Sequence, residues 1–213
     1  MSVSLHEAFC LDSFSTQLLF WDDFAGDQLK DEWLATLTSG GTAAVVDTQT
    51  GGIIRLGTPT ASDAAQLDWG NYRTLHVLKK VTAEARVRAN DGVTDTTRRL
   101  FGLVYDASNR MMFYHTYDSS TIFLQNGNDG AFTSPDSEVD LDDQFHIYRI
   151  ECLPAGEVHY YIDNVECANS PITTNIPSDA GDYLQPYFFI ATNADTDPAT
   201  SMDIDYVYVR QER

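Results

Sequence analysis

Basic residues are scarce in this sequence, and their scarcity excludes two classes of partner. Thirteen lysines and arginines stand against thirty-two aspartates and glutamates, so the formal net charge is −19 at pH 7. Nucleic acids and anionic lipid surfaces would be repelled by such a chain, because binding to them depends on basic groups that displace counterions. We therefore predict no nucleic-acid partner and no membrane partner.

Cysteine is also scarce. The chain contains Cys10, Cys152 and Cys167, a set too small and too odd in number for the disulfide framework of a secreted protein. At least one thiol must stay unpaired. Residues 1–14 have neither the basic start nor the apolar run of a signal peptide, and no stretch approaches the length of a membrane span. These features predict a protein made in a cytosol.

Helical periodicity is the third absence, since no segment keeps it over a dozen residues. The nearest candidate is 25–37, where Leu29, Trp33 and Leu37 recur at four-residue spacing, and we expect a short helix or a loop there. Short alternating runs such as VTAEARVRA (81–89) instead recur along the chain, separated by glycine- and asparagine-rich turns. The pattern predicts an all-β sandwich of two sheets.

The first nineteen residues precede the regular strand signals. They carry Leu5, Phe9, Leu11 and Phe14 among small polar residues, without a turn that would make a hairpin. Two interpretations remain open: an edge strand that closes the sandwich, or an extended arm that docks on a partner. We therefore divide the chain into 1–19, an arm or edge strand, and 20–213, the sandwich domain.

Three stretches occur in an order that resembles a known family. They are FWDDFAGDQLKDEW (20–33), FHIYRIECLPAGEVHYYIDNVE (145–166) and SMDIDYVYVRQ (201–211). Together they resemble the concanavalin-like jelly rolls, in particular the laminarinase and agarase group of glycoside hydrolases. The resemblance implies a jelly-roll sandwich of two antiparallel sheets across 20–213, with at most a short helix.

The middle stretch also predicts a specific hairpin. His146, Tyr148, Ile150 and Cys152 alternate on one face, and Val158, Tyr160 and Ile162 can oppose them after a turn at 154–157. Paired strands need residues of these types, and none of them has to be catalytic. We expect His146 to be a packed, hydrogen-bonded histidine.

Catalytic carboxylates are missing where the resemblance would place them. Retaining glycosidases need two carboxyl groups about 5 Å apart, and the resembled enzymes supply them from a strand written Glu-x-Asp-x-x-Glu. The corresponding region, 98–123, contains Asp106 and Asp118 and no glutamate. The characteristic motifs of polysaccharide lyases, which share the fold, are absent too, and a −19 chain would repel their polyanionic substrates. We predict a protein that is not an enzyme, with a diverged lyase or hydrolase as the third hypothesis.

Several side chains could still meet a sugar or a protein partner. The run 114–117 alternates on a candidate inner strand that would line the concave sheet, where aromatic residues either bind sugars or fill space. Two arginines on the strand predicted at 81–89 add charge and hydrogen-bond donors. The candidate set is Tyr114, His115, Tyr117, Arg86 and Arg88.

The resemblance also implies a structural calcium ion on the convex side. Asp205 matches the aspartate of the family's final Asp-Tyr-Val step, and Gly52 lies where a carbonyl ligand would come from. Calcium takes six to eight oxygen ligands, which carbonyls and one or two carboxylates can supply. The alternative is a buried Asp205 satisfied by backbone amides. No zinc spacing or phosphate-binding loop occurs, and we predict no other cofactor.

A second resemblance concerns function. The stretches FGLVYDASNRMMFY (101–114), TTNIP (173–177) and IDYVYV (204–209) resemble non-enzymatic modules of bacteriophage particles. They imply a capsid decoration, or cement, protein of the virion, made in the host cytoplasm, that binds capsid or other virion subunits as a homo-oligomer, for which we expect a trimer. The alternative is a lectin-like carbohydrate-binding module, which would be secreted and would bind glycans.

Overall fold

A computed structural model describes residues 17–26, 28–46, 52–70, 72–90, 97–117, 119–179, 181–193 and 199–212. All regular structure in these ranges is β-strand, as the short alternating runs predict. The strands are β1 (Gln17–Asp22), β2 (Leu34–Thr38), β3 (Thr42–Val45), β4 (Ile54–Thr58), β5 (Ala64–Asp68), β6 (Leu75–His76), β7 (Val81–Ala89), β8 (Thr97–Val104), β9 (Arg110–His115), β10 (Thr121–Asn128), β11 (Ala131–Thr133), β12 (Asp136–Asp140), β13 (His146–Leu153), β14 (Glu157–Ile162), β15 (Val165–Glu166), β16 (Tyr183–Thr192) and β17 (Thr200–Glu212).

The described strands form two antiparallel sheets. The back sheet has the order β15-β14-β13-β7-β17-β4-β3, with β1 also paired to β17. The front sheet has the order β11-β10-β9-β8-β16-β5-β2, with β12 on β10 and β6 on β16. The predicted two-sheet antiparallel sandwich is confirmed. Within the described ranges, no helix has the length and apolar character needed to cross a membrane.

The core lies between the sheets, where the inward-facing side chains of the alternating strands are buried. On β7, for example, Val81, Ala85 and Val87 are buried while the residues between them are half-buried. Aromatic rings link the layers: Tyr148 of the back sheet packs edge-on against Phe101 of the front sheet, with ring centroids 4.3 Å apart. The burial of this apolar surface is what makes the two sheets one folded unit.

The predicted hairpin of 145–166 is confirmed in its register. Strand β13 pairs with β14 so that Tyr148 opposes Ile162, Ile150 opposes Tyr160 and Cys152 opposes Val158. All six side chains are buried in the core. The hydroxyl of Tyr160 crosses to the front sheet, where it donates to the side-chain oxygen of Asn126 at 2.5 Å. The hairpin is therefore a structural part of the back sheet.

His146 at the start of this hairpin is packed and hydrogen-bonded, as expected. Its Nδ1 and Nε2 contact carboxylates of Asp163 and Asp142 at 2.5 and 2.9 Å. Burial lowers the pKa of His146, but the two carboxylates outweigh burial, so the net pKa is raised. The pKa of Asp163 is lowered, because its hydrogen bonds to Ile147 N and to His146 outweigh its burial.

Within the predicted helix or loop at 25–37, the described residues 25–26 and 28–33 are not helical and 34–37 belong to β2, so the loop alternative holds. The carboxylate of Asp22 is fully buried and accepts hydrogen bonds from Phe24 N (3.0 Å), Lys30 Nζ (2.5 Å) and Trp33 Nε1 (2.8 Å). Trp33 packs among core rings, 5.8 Å from Phe20. A buried acceptor thus fixes this loop in place of helical hydrogen bonds.

The first strand begins inside the segment that the sequence assigns to an arm. Leu18 and Leu19 belong to β1, where they oppose Gln211 and Arg210 of β17. The proposed docking residues Leu5, Phe9, Leu11 and Phe14 lie outside the described residues, and so does Cys10. Cys152 and Cys167 are free and buried, and burial raises the pKa of each to about 11.

Candidate functional site

A cleft of about 490 Å³ lies on the outer face of the front sheet. Its walls come from β2, β5, β8, β9 and β16 and from the turn between β8 and β9. This volume is within the range of roughly 300 to 1,000 Å³ that small-molecule sites occupy. We call it the front-sheet cleft.

Strand alternation determines which side chains form the floor of the cleft. On β8, Phe101 and Leu103 belong to the main core, whereas Leu100 and Val104 point to the other face. They join Met112 of β9 in a small separate cluster, against which Tyr114, Tyr187 and Phe189 pack. The floor is therefore apolar and aromatic.

Polar groups are held in a chain along one wall. The hydroxyl of Tyr187 donates to Oε1 of Gln66 at 3.2 Å, and Nε2 of Gln66 donates to Asp68. The backbone N–H of Gly70 also donates to Asp68, at 2.6 Å. The pKa of Tyr187 is raised to about 12, because the effects of burial and of Asp68 outweigh the opposing effect of Arg98 and Arg110. The hydroxyl is thus protonated at neutral pH and fixed by its neighbours.

Three arginines line the cleft, and each lies over an aromatic ring. Arg73 lies over Tyr105 at 4.7 Å from the ring centroid, Arg98 over Phe189 at 5.0 Å, and Arg110 over Phe132 at 4.5 Å. Among the residues that the structure describes, these arginines have no carboxylate partner. The pKa of Arg110 is lowered by burial and by the charge of Arg98. The cleft therefore holds three guanidinium groups that form no ion pair within the described structure, together with two carboxylates.

Two carboxylates line the described part of the cleft, and both hold local structure. Asp68 accepts from Gln66 and Gly70, as above, and Oδ1 of Asp106 accepts from the backbone N–H groups of Ser108 (2.7 Å) and Asn109 (2.8 Å). The cleft-facing residues of β9 are Arg110 and Met112. Asp118 lies outside the described residues. The described lining offers aromatic surfaces, amides and guanidinium groups.

The run Tyr114-His115 is divided between the two faces of β9. Tyr114 lies on the outer face, where its ring is 6.5 Å from that of Phe123. His115 faces the other way, is 2% exposed, and its Nε2 lies 2.7 Å from the carbonyl oxygen of Ser119. The prediction that His115 faces a partner is corrected, because alternation puts it between the sheets. Tyr117 is half-buried in the turn after β9.

Arg86 and Arg88 lie on the back sheet, on the opposite side of the sandwich from the cleft. Their guanidinium groups flank the ring of Phe145, each 4.4 Å from its centroid. Arg86 pairs with Asp205 at 2.6 Å and Arg88 with Asp203 at 2.7 Å. The five residues predicted from the sequence therefore do not form one site.

Asp205 lies at a β-bulge in β17, between Ile204 and Tyr206. Its carboxylate accepts a hydrogen bond from Arg86. The alternative to a calcium ligand was an Asp205 satisfied by backbone amides, and the structure has an arginine in their place. Gly52 is buried against the Phe24 carbonyl, which a Cβ at position 52 would meet at 1.6 Å. The described residues contain no cluster of three or more metal-binding His, Cys, Asp or Glu side chains. Calcium binding by Asp205 and Gly52 stays a prediction.

Sequence reasoning missed most of the cleft. The residues that it did not select are Gln66, Asp68, Arg73, Arg98, Arg110, Gln185 and Tyr187. Arg98 and Arg110 could have been selected, because both lie in 98–123, the region in which the resembled hydrolases carry their catalytic acids. Alternation shows that they face away from Phe101 and Phe113, but it does not show that this face forms a cleft.

No protein-family model and no curated protein sequence matches the chain. Solved structures do match over most of its length. A protein of unknown function from Shewanella oneidensis MR-1 is 12% identical, with a TM-score of 0.69 over 92% of this chain and 87% of its own. A mixed-linkage glucan glycoside hydrolase family 16 protein from Bacteroides ovatus, solved with product, is 12% identical, with a TM-score of 0.67 over 89% and 99%. The carbohydrate recognition domain of Emp47p is 14% identical, with a TM-score of 0.64 over 90% and 94%.

These likenesses identify the fold as a concanavalin A-like jelly roll, which confirms the fold class implied by the sequence resemblance. At 12 to 14% identity they show the fold alone. Fold does not determine function. The capsid-decoration hypothesis receives no support from these structures and stays a prediction.

Proposed function

We propose that this protein is a carbohydrate-binding module that holds a glycan, without cleaving it, in the front-sheet cleft. The observation that carries the proposal is the lining of the cleft, which combines an aromatic floor with fixed polar groups. A sugar presents apolar C–H surfaces and many hydroxyl groups, so it needs both kinds of contact at once. The cleft offers them within about 490 Å³.

The aromatic contribution comes from Tyr187 of β16, which lines the cleft. Phe189 lies next to it on the same face, with the two rings nearly parallel at 13° and 6.3 Å apart. Both are half-buried in the cluster below, which limits their rotamers before any ligand arrives. A platform that is ordered in advance reduces the entropy cost of binding.

The polar contribution comes from amides next to this platform. Gln185 is 4% exposed, and its Oε1 has no hydrogen-bond partner among the described residues. A buried acceptor without a partner is uncommon in folded proteins. A hydroxyl group of a bound sugar would supply the missing donor, while the hydrogen bond between Tyr187 and Gln66 holds two further polar side chains in place.

We propose binding without cleavage because both carboxylates that line the cleft already hold local backbone structure. Asp68 and Asp106 each accept hydrogen bonds from backbone N–H groups, and a hydrolase would need two carboxyl groups set across the scissile bond. The carbohydrate-related names of two compared proteins support the proposal by analogy of fold only.

A glycan array followed by calorimetry tests the proposal. We expect a bound oligosaccharide whose affinity falls at least tenfold in Tyr187→Ala. The matched control is Trp21→Ala, which removes an aromatic side chain that is 52% exposed on the back sheet and should leave affinity unchanged. Thermal melting of both variants checks that they are folded.

Two results would contradict the proposal. One is the absence of any bound glycan on the array. The other is that Trp21→Ala abolishes binding whereas Tyr187→Ala leaves affinity unchanged, which would place the binding site on the back sheet. Release of reducing ends or of unsaturated uronates from a bound glycan would overturn the non-catalytic part alone.

A further inference from the structure

We propose that the front-sheet cleft selects acidic glycans, binding a carboxylate or sulfate group on the sugar through Arg98 and Arg110; this inference rests on the proposed glycan-binding function. Its basis is the uneven way in which the protein neutralises its arginines. The chain has only thirteen basic residues and a net charge of −19. Such a protein has an excess of carboxylates with which to pair each arginine.

On the back sheet that pairing occurs. Each described arginine there has a carboxylate oxygen between 2.6 and 3.8 Å away: Arg55, Arg86, Arg88, Arg149 and Arg210. The arginines of the cleft differ, because Arg73, Arg98 and Arg110 have no such partner among the described residues. In so acidic a chain, three arginines that line one cleft without ion pairs form a feature that needs an explanation.

Arg98 and Arg110 also act on the same group. Both lower the pKa of Tyr187, and Arg98 lowers the pKa of Arg110. Their guanidinium groups are therefore within electrostatic range of one hydroxyl at the cleft floor and of each other. Two like charges at close range in a partly buried site are unfavourable until an anion lies between them.

The shape of the guanidinium group suits the proposed ligands. The Nε atoms of Arg98 and Arg110 are buried without a hydrogen-bond partner in the described structure, as are those of Arg88, Arg149 and Arg210 on the back sheet. What distinguishes the cleft arginines is therefore the missing carboxylate partner. A planar carboxylate or a sulfate ester matches the fork of a guanidinium group, and charge-assisted bonds to it are stronger than neutral ones.

The arginines are held in place by rings. Arg98 lies over Phe189 and Arg110 over Phe132, and stacking restricts the flexible side chains before a ligand binds. Exposed Arg73 lies at the rim over Tyr105, where it could meet a second acidic sugar of the same chain. The cleft is thus ordered for anions along its length.

The net charge of −19 disfavours polyanions in general, but the charges next to a bound group decide the interaction inside the cleft. Asp68 and Asp106 line the cleft, but three arginines outnumber them, and both carboxylates accept backbone hydrogen bonds. At physiological ionic strength charges beyond about 8 Å are largely screened. The local arginines therefore determine the interaction with a bound anion, while the distant acids mainly slow its approach at low salt.

The test uses pairs of ligands that differ only in charge. One pair is an oligogalacturonide and its methyl ester, and the other is a sulfated galactan oligomer and its desulfated form. Calorimetry should show at least tenfold tighter binding of the charged member of one pair, with affinity falling as salt is raised. The pair that responds distinguishes a carboxylate from a sulfate.

Variants assign the effect to the cleft. Arg98→Gln and Arg110→Gln should each lower the ratio of charged-ligand affinity to neutral-ligand affinity at least tenfold. Arg210→Gln on the back sheet makes the same change in net charge and should have no effect. Arg98→Lys keeps the charge but not the planar fork, so its loss should be smaller than that of Arg98→Gln. Melting curves confirm that each variant is folded.

The outcomes separate this inference from the function on which it rests. Equal binding of charged and neutral members overturns the selectivity and leaves the glycan-binding function in place. A charge preference that survives in both cleft variants, or that is lost in Arg210→Gln, also overturns it. Failure to bind any glycan of either kind refutes the proposed function itself.

Discussion

Asp22 gives the sharpest stability prediction, because one buried carboxylate holds a whole loop. Its side chain is fully buried and accepts from Phe24 N, Lys30 Nζ and Trp33 Nε1. In Asp22→Ala the two neutral donors, at Phe24 and Trp33, lose their acceptor inside the protein. Each unsatisfied buried donor costs about 1–3 kcal/mol, so we expect a loss of roughly 2–5 kcal/mol in the free energy of unfolding.

Two further variants separate hydrogen bonding from charge. Asp22→Asn keeps one acceptor oxygen, so it should cost about half as much, roughly 1–3 kcal/mol. Lys30→Met should cost about 1 kcal/mol, because the lysine is 45% exposed and water can take its place. The expected order of destabilisation is Asp22→Ala, then Asp22→Asn, then Lys30→Met.

Urea unfolding followed by tryptophan fluorescence measures all three variants, and an unchanged slope with denaturant shows that the unfolded states are comparable. In thermal melts 1 kcal/mol corresponds to about 2–4 °C for a domain of this size. If Lys30→Met costs as much as Asp22→Ala, the carboxylate acts through its ion pair and our reasoning is refuted. A loss below about 1 kcal/mol in Asp22→Ala would refute it as well.

Three other predictions follow from single contacts. Because the pKa of His146 is raised, its ion pair stabilises the fold at pH values below the usual histidine pKa, and this stabilisation is lost as pH rises through the raised pKa. His146→Gln should therefore lower Tm by a few degrees at pH 5.5 and by less at pH 9. An equal decrease in Tm at both pH values would contradict this assignment. Tyr160→Phe leaves the buried Asn126 oxygen without its donor and should cost about 1–3 kcal/mol in urea unfolding, whereas Tyr161→Phe, at a half-buried outer position, serves as the neutral control. Gly52→Ala would place a Cβ 1.6 Å from the Phe24 carbonyl oxygen and should lower Tm strongly, while Gly181→Ala meets nothing within 4 Å and should not; equal Tm values for the two would show that the loop yields freely.

Local sequence was enough to predict the strands and one hairpin in detail. The pairing of Tyr148 with Ile162 and of Ile150 with Tyr160 follows from alternation on both sides of a short turn, since few residues separate the partners. The same alternation, together with the absence of helical periodicity, predicted the all-β class. The same alternation implies that Tyr114 and His115 lie on opposite faces of one strand, but the sequence analysis selected both as partner-facing and so was wrong for His115.

Only the tertiary structure decided which faces meet and where the cleft lies. Strand β8 is placed between β9, its neighbour in sequence, and β16, which begins about eighty residues later. That long-range pairing builds the sheet on which Arg98 and Arg110 face the cleft and His115 faces the core. The pairing of β7 with β13 and β17 puts Arg86 and Arg88 on the other sheet. Local patterns carry no information about such partners, because period-two alternation is unchanged whichever strand lies alongside. The sequence therefore determined the strands and the sandwich, whereas the assembly of distant strands determined the site.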